Sequence, residues 1–337
     1  MCIGYAFKAK FFNYLILSIV IFISGFRYLV GYDYLNYYTI FVGNSINSIE
    51  LEPLFMLISE FSRRLWNNPQ YTFLIFSTIT ISVVFFTIPR YTKYHRTAFL
   101  FYLLIPGLYL NSFSIVRQGV AISFFFLSIY YLIYVKNIWK FFIYSLVGFL
   151  LHFSMIIPTI LVYFLRNQLV KKYSTSVHIY SIIIALMLSF SGILSTIIST
   201  FGGRYSIYGT LVDEVSFLKV VILSLFSLFI VYSYRKINDN RLVFLLNLNQ
   251  LGILISIAFS DFAPITRLAY YFTIFQIILV AELIYRYKTQ GLKILALVLF
   301  VSYYFGLQIN ALLTDEKVEY FPKMTPYTNY FMADKTW

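Results

Sequence analysis

Charge is scarce in this chain. Charged residues make up 12% of its 337 residues, against 60% hydrophobic and 21% aromatic. A soluble domain carries roughly twice that share of charge, and one water-soluble core cannot hide so much apolar surface. A soluble enzyme, a coiled coil and a disordered chain are therefore excluded. Cysteine is almost absent: Cys2 stands alone, so neither a disulfide framework nor a cysteine metal site can form. The three histidines, His95, His152 and His178, are far apart and show no HExxH spacing. No Walker A motif or GxGxxG fingerprint occurs, which argues against nucleotide-driven work. The net charge of +13 sits in short clusters between apolar runs rather than along a soluble face, so it does not describe a nucleic-acid binder.

What is abundant is apolar length. Uncharged or nearly uncharged runs centre on 11–29, 71–89, 97–112, 115–135, 141–165, 177–198, 216–234, 241–259, 265–285 and 292–313. Runs of about 20 such residues cross roughly 30 Å of hydrocarbon, and backbone groups in lipid must bond internally, so helices are expected. No small-residue cleavage site follows the first run, which is expected to stay as a span. The expected fold is all-α: a polytopic integral membrane protein with about ten or more transmembrane helices, and no linker or repeat divides it into more than one domain.

Basic clusters fall between the runs: Lys8 and Lys10; Arg90, Lys93 and Arg96; Lys136 and Lys140; Arg166, Lys171 and Lys172; Arg235, Lys236 and Arg241; Arg286, Lys288 and Lys293. The positive-inside trend puts these and the N-terminus in the cytoplasm. Only run 141–165 separates two of the clusters, and about 25 residues are too few for two full spans at ~1.5 Å each. A broken or re-entrant helix pair is expected there, interrupted near His152 to Pro158. This scheme leaves 30–70, the loops near 111–117, 201–217 and 260–267, and the polar tail 314–337 outside. Within 30–70, Leu54, Ile58, Phe61 and Leu65 recur at helical spacing from Pro53 to Trp66, the pattern of a helix lying in the membrane interface.

Several arginines break the positive-inside trend. Arg27 ends the first span, Arg117 and Arg267 each begin one, and Arg204 sits in a Gly-Gly-Arg loop. Arginine at membrane depth is costly and faces a cavity or a partner. Its forked guanidinium suits phosphate, although snorkelling to lipid headgroups explains any single one as well. Asp33 follows the first span among Tyr32, Tyr34, Tyr37 and Tyr38. It can serve as a sugar contact or general base, or equally as a helix cap or a salt-bridge partner of Arg27. The tyrosines read as sugar-stacking rings or as an interfacial aromatic belt. His152, in an expected helix break, is a candidate proton acceptor or an interhelical hydrogen-bonding residue.

Taken in order, these positions resemble the EpsG family of Wzy-like bacterial polysaccharide polymerases. The resemblance runs through Arg27, Gly31, Asp33 and Tyr34, then Glu52-Pro53, Arg117-Gln118 with Ala121, and His152 with Ser154. It continues through Arg267 with Tyr270, Tyr271 and Phe272, and ends at Pro326-Tyr327 and Asn329. Gly202-Gly203-Arg204 is a looser counterpart. The resemblance implies joining of undecaprenyl-pyrophosphate-linked oligosaccharide repeat units at the outer face of the cytoplasmic membrane, with no nucleotide sugar, cofactor or metal. A chain-length regulator and a flippase would be its partners, and nucleic acid would not. It also implies pyrophosphate binding by Arg117, Arg267, Arg27 and Arg204, catalysis by His152 and Asp33, and sugar binding by Tyr34, Glu52, Gln118 and Tyr327. A glycan ligase would use similar chemistry but is expected to carry a large late outer loop. A transporter or flippase would show repeats or paired interrupted helices, and neither is evident.

Overall fold

The computed structural model describes residues 2–42, 51–193, 196, 217–260, 262–314 and 324–333. Helices make up 79% of it. Among the described residues, four helices are long and apolar enough to cross a membrane: Pro69–Tyr91 (α4), Val116–Ile133 (α6), Asn240–Ala258 (α11) and, within Gln290–Thr314 (α13), residues Gln290–Asn310. A pair bent by 40°, Ile265–Thr273 with Gln276–Arg286 (the latter α12), forms either a broken span or a re-entrant loop. Shorter apolar helices occur at Phe11–Gly25, Ile138–Leu151, Phe153–Leu169, Thr175–Ser191 and Val220–Tyr234. The chain is thus an all-α polytopic membrane protein. Inside these helices, hydroxyls turn back on their own backbone, as Thr80 does to Phe76 O at 2.8 Å and Ser123 to Val120 O at 2.7 Å. Such back-bonding satisfies a polar group where water is absent.

The chain folds as two compact units, residues 1–156 with 284–337 and residues 157–283. Both divisions fall inside helical segments, so no change of composition marks them in a sequence where one domain was expected.

In the first unit, Cys2–Gly25 (α1) packs on α4, α4 on α6, and α6 on Ile138–Leu151 (α7). Ser24 and Ser77 share a buried hydrogen bond of 2.8 Å across α1 and α4. The basic clusters meet at one end of this unit: Arg90 donates to Tyr131 OH at 3.0 Å, Lys140 lies 5.1 Å over the Tyr131 ring, and Tyr94 stacks on Tyr285 at 3.9 Å. Arg27, Glu52, Arg117 and His152 gather at the opposite ends of the same helices. Run 97–112 departs from a single span. Its helix, His95–Leu104 (α5), stops before Pro106 and Gly107, where φ is +89°, and a 3-10 turn follows at Asn111–Phe113.

Run 141–165 is interrupted as expected. The α7 helix ends at Leu151, His152 is extended (φ −160°, ψ 115°), and a 3-10 turn, Phe153–Met155, leads into Ile156–Leu169 (α8). Each helix has 14 residues, about 21 Å at ~1.5 Å per residue and short of a full span. Pro53–Trp66 (α3) also forms. It buries Phe55, Ser59 and Ser62 and exposes Leu57, Phe61 and Leu65, the outward apolar face of an interfacial helix. Glu60 on it pairs with Arg63 and, at 2.8 Å, with Arg64.

The turn after α1 is tight. Gly31 has φ +102°, and a Cβ there would lie 2.7 Å from Phe113 O. That carbonyl also accepts a bond from Arg27 at 3.0 Å. The tail closes over the same turn: Tyr28 N donates to Thr328 O and Tyr330 N to Phe26 O, each at 2.8 Å, and Asn68 donates to Tyr330 OH at 2.8 Å. Gly31→Ala is expected to destabilise the protein by about 1–3 kcal/mol, read as an earlier unfolding midpoint in detergent. An unchanged midpoint would show that the turn relaxes freely.

Candidate active site

The site begins with a helix start that gives up its own cap. Glu52 precedes Pro53, which occupies the first turn of α3, a position that needs no amide hydrogen. The Glu52 side chain makes no capping bond and turns inward instead. Its Oε2 accepts from Arg117 at 2.8 Å and its Oε1 meets His152 Nδ1 at 2.7 Å. The amide of Phe153 approaches Oε1 at 3.4 Å. The Glu52 side chain is 4% exposed, while those of Arg117 and His152 are each 24% exposed. The carboxylate is thus the hidden centre of the cluster and its two partners form the open edge.

Three elements set this geometry. The first turn of α6 supplies Arg117. The end of α7 supplies His152, whose extended backbone ends the helix and swings the ring aside. The apolar cluster of Tyr28, Tyr34, Tyr37, Phe55, Phe73, Phe76, Val116, Val120 and Leu151 packs beneath them. Arg117 lies 5.8 Å over the Tyr37 ring and 5.6 Å over Phe55, a cation–π seat that holds the guanidinium in place. Its Nε is buried without a hydrogen bond.

Burial disfavours ionised Glu52, but the His152 hydrogen bond and the Arg117 charge outweigh it, so its pKa falls to about 2. The carboxylate is therefore ionised throughout the physiological range. Facing an ionised oxygen, Nδ1 of His152 carries the hydrogen and donates it. The other ring nitrogen, Nε2, has no hydrogen-bond partner among the described residues. A carboxylate that orients an imidazole in this way prepares it to take a proton from a hydroxyl. Among the described residues, no group of three or more His, Cys, Asp or Glu is placed to hold a metal.

The other expected site residues lie elsewhere. Arg27 is 1% exposed. Its guanidinium bonds Ser24 O and Phe113 O and lies 4.8 Å and 5.0 Å over Phe73 and Phe113. Its charge thus serves the fold and presents no open edge to a pyrophosphate. Tyr34, also 1% exposed, stacks on Phe73 at 4.7 Å and donates to Gln70 at 3.3 Å, so its faces are closed to a sugar. Gln118 is buried in α6. Asp33 is half-buried at the start of Tyr34–Val42 (α2), where its carbonyl accepts from Tyr37 N at 3.0 Å. Tyr327 is 42% exposed and donates to Ile23 O at 2.8 Å. Arg267 is exposed on a 3-10 turn of the second unit, and Arg204 lies outside the described residues. The Glu52 bridge and its aromatic seat were missed because Glu52 and His152 are 100 positions apart, beyond any local periodicity. The only local hint was a carboxylate directly before a helix-starting proline.

A family model described as the EpsG family matches residues 10–330, nearly the whole chain. The chain belongs to the EpsG family. At family level this makes it a Wzy-like polysaccharide polymerase. No curated protein and no solved structure matches it.

The lowered pKa of Glu52 has a signed consequence. Its stabilising effect is fully present above its ordinary value of 4.5 and is lost as pH falls towards about 2. The shift corresponds to about 3 kcal/mol at ~1.4 kcal/mol per unit. Glu52→Gln is therefore expected to lower the unfolding midpoint by a constant amount from about pH 5 to 8, with the gap to the parent protein closing below about pH 4.5. A gap that stays constant into strong acid would show that the carboxylate charge is not what the cluster uses.

Proposed function

We propose that this protein joins lipid-linked oligosaccharide repeat units, transferring the growing glycan from undecaprenyl pyrophosphate to the sugar hydroxyl of a fresh unit at the outer face of the bacterial cytoplasmic membrane. Family membership supports the class of reaction. The single observation that supports the chemistry is the buried Glu52 bridge between Arg117 and His152.

In this reading the acceptor hydroxyl gives its proton to Nε2 of His152 as its oxygen bonds to the anomeric carbon of the donor. The bond from that carbon to the pyrophosphate oxygen breaks, and the electron pair leaves with the lipid pyrophosphate. Arg117 stabilises the negative charge gathering on that leaving group. Glu52 holds the imidazole in the productive tautomer and offsets the imidazolium that forms. The quarter-exposed edges of Arg117 and His152 fit groups that must meet a substrate, and the enclosed Glu52 fits one that must not. Arg27 and Tyr34 act by shaping the floor beneath. The basic clusters at the far end of the first unit support an outward-facing site by the positive-inside trend.

Protein purified into lipid is expected to lengthen glycans from lipid-linked repeat units without added nucleotide or divalent metal. Arg117→Ala and His152→Ala should each slow extension by about 30- to 1,000-fold, the kinetic equivalent of roughly 2–4 kcal/mol. Single repeat units would then remain on the lipid. Arg117→Lys should rescue only partly, because a lysine lacks the fork that reaches Glu52 and phosphate together. Arg63→Ala, on the outward face of α3, is the control and should leave chain length unchanged. Normal chain lengths in both alanine variants at normal protein levels would remove this cluster from the reaction.

A further inference from the structure

The second unit holds a cavity of about 170 Å³ where two of its basic clusters meet. Lys172, Ser174 and His178 line it from the start of Thr175–Ser191 (α9), Arg235 lines it from the end of Phe217–Tyr234 (α10), and Val243 and Asn247 line it from α11. Asn247 donates to Leu169 O at 2.6 Å and Lys171 O at 2.9 Å, which pins the turn before α9. Among the described residues no Asp or Glu lines the cavity.

Three independent features point to an anion. The α9 helix begins here with 17 residues; Ser174 caps its Val177 amide at 3.4 Å, and no acidic side chain in its first turn offsets the positive helix end. Lys172 and Arg235 add full charges at the rim. His178 is 7% exposed and lines the cavity, and its ring nitrogens make no hydrogen bond to a described residue. Among the described residues its ring neighbour is Tyr173, edge-on at 6.4 Å. An imidazole that lines the cavity with no bond to a described residue can donate to an acceptor from outside the chain.

Size and surroundings select among anions. Sites that enclose drug-sized ligands measure roughly 300–1,000 Å³, so 170 Å³ holds a phosphate group and leaves the rest of its molecule outside. Val177, Tyr180, Ile184 and Met187 stand exposed along one face of α9, an apolar track of helical spacing that begins at the same turn. A free phosphate has no use for such a track, whereas an acyl chain does. We propose that this cavity binds the phosphate of an anionic lipid headgroup, with the acyl chains lying against α9. Basic pockets between transmembrane helices recognise such headgroups through this chemistry. The site shares no residue with the Glu52 cluster, and its occupancy is independent of glycan transfer.

The test uses the full chain in detergent and native mass spectrometry, titrating phosphatidylglycerol against phosphatidylcholine with the same acyl chains. The parent protein should retain one phosphatidylglycerol with at least about tenfold preference, the scale of one charge-assisted hydrogen bond. His178→Ala should reduce that preference by about tenfold, and His178→Gln, which keeps a donor, should restore most of it. The pair Lys172→Ala and Arg235→Ala, at the exposed rim, should reduce it as well and carries the test if His178→Ala fails to fold. Excess inorganic phosphate should not displace the lipid. Displacement would overturn the lipid assignment in favour of a free phosphate. Equal retention of both lipids, or a preference untouched by every variant that folds, would overturn the site itself.

Discussion

A single buried carboxylate organises the first unit. Glu52 stands between a guanidinium and an imidazole that come from different helices; Arg117 also has its seat on Tyr37 and Phe55, whereas His152 has Glu52 as its side-chain partner among the described residues. An unpaired carboxylate at that depth would be costly, so the sequence must bring positive partners to it from α6 and from the break after α7. The same requirement explains why α7 stops where it does. A continued helix would carry residue 152 around its axis, whereas the extended backbone at His152 lets its ring reach Glu52. The interruption of run 141–165 is therefore a consequence of the site, and it leaves two short helices in place of one span.

Around this centre, positive charge is handled in two contrasting ways. Arg117 is neutralised by a carboxylate and seated on rings, with an edge left open. Arg27 is enclosed, with two carbonyls and two aromatic faces as its partners. Carbonyl dipoles and ring quadrupoles compensate a cation without supplying a counter-charge, so Arg27 binds α1, the Asn111–Phe113 turn and α4 into one floor. The tail adds a strap across that floor through the Arg27 and Asn329 bridge. Two arginines that look alike in sequence thus do different work, and burial separates them.

The fold class was legible because lipid imposes a coarse rule: long uncharged runs must be helices. The helix break near His152 was legible too, since positive charges at both ends of a run of about 25 residues conflict with one crossing. Helix α3 followed from spacing, but its outward face is Leu57, Phe61 and Leu65, whereas Leu54 and Ile58 of the expected stripe pack on the core. What stayed hidden were relations between distant residues. Nothing local shows that Glu52 meets His152, that Tyr34 spends its face on Phe73, or that Arg27 is enclosed. The division into two units was equally hidden, because it cuts through helices rather than a linker. The family resemblance assigned Glu52 a sugar, whereas the structure turns it inward to two protein side chains.

The central claim is that Glu52 acts through His152 and not beside it. A double-mutant cycle on glycan extension tests this directly, using Glu52→Gln, His152→Ala and the two combined. If Glu52 works by orienting and charging the imidazole, removing the imidazole leaves it little to do. The double variant should then be about as slow as His152→Ala alone, a large non-additive coupling of the kind found for residues acting as one unit. Losses that simply multiply would mean that the two side chains contribute independently, and would contradict the account.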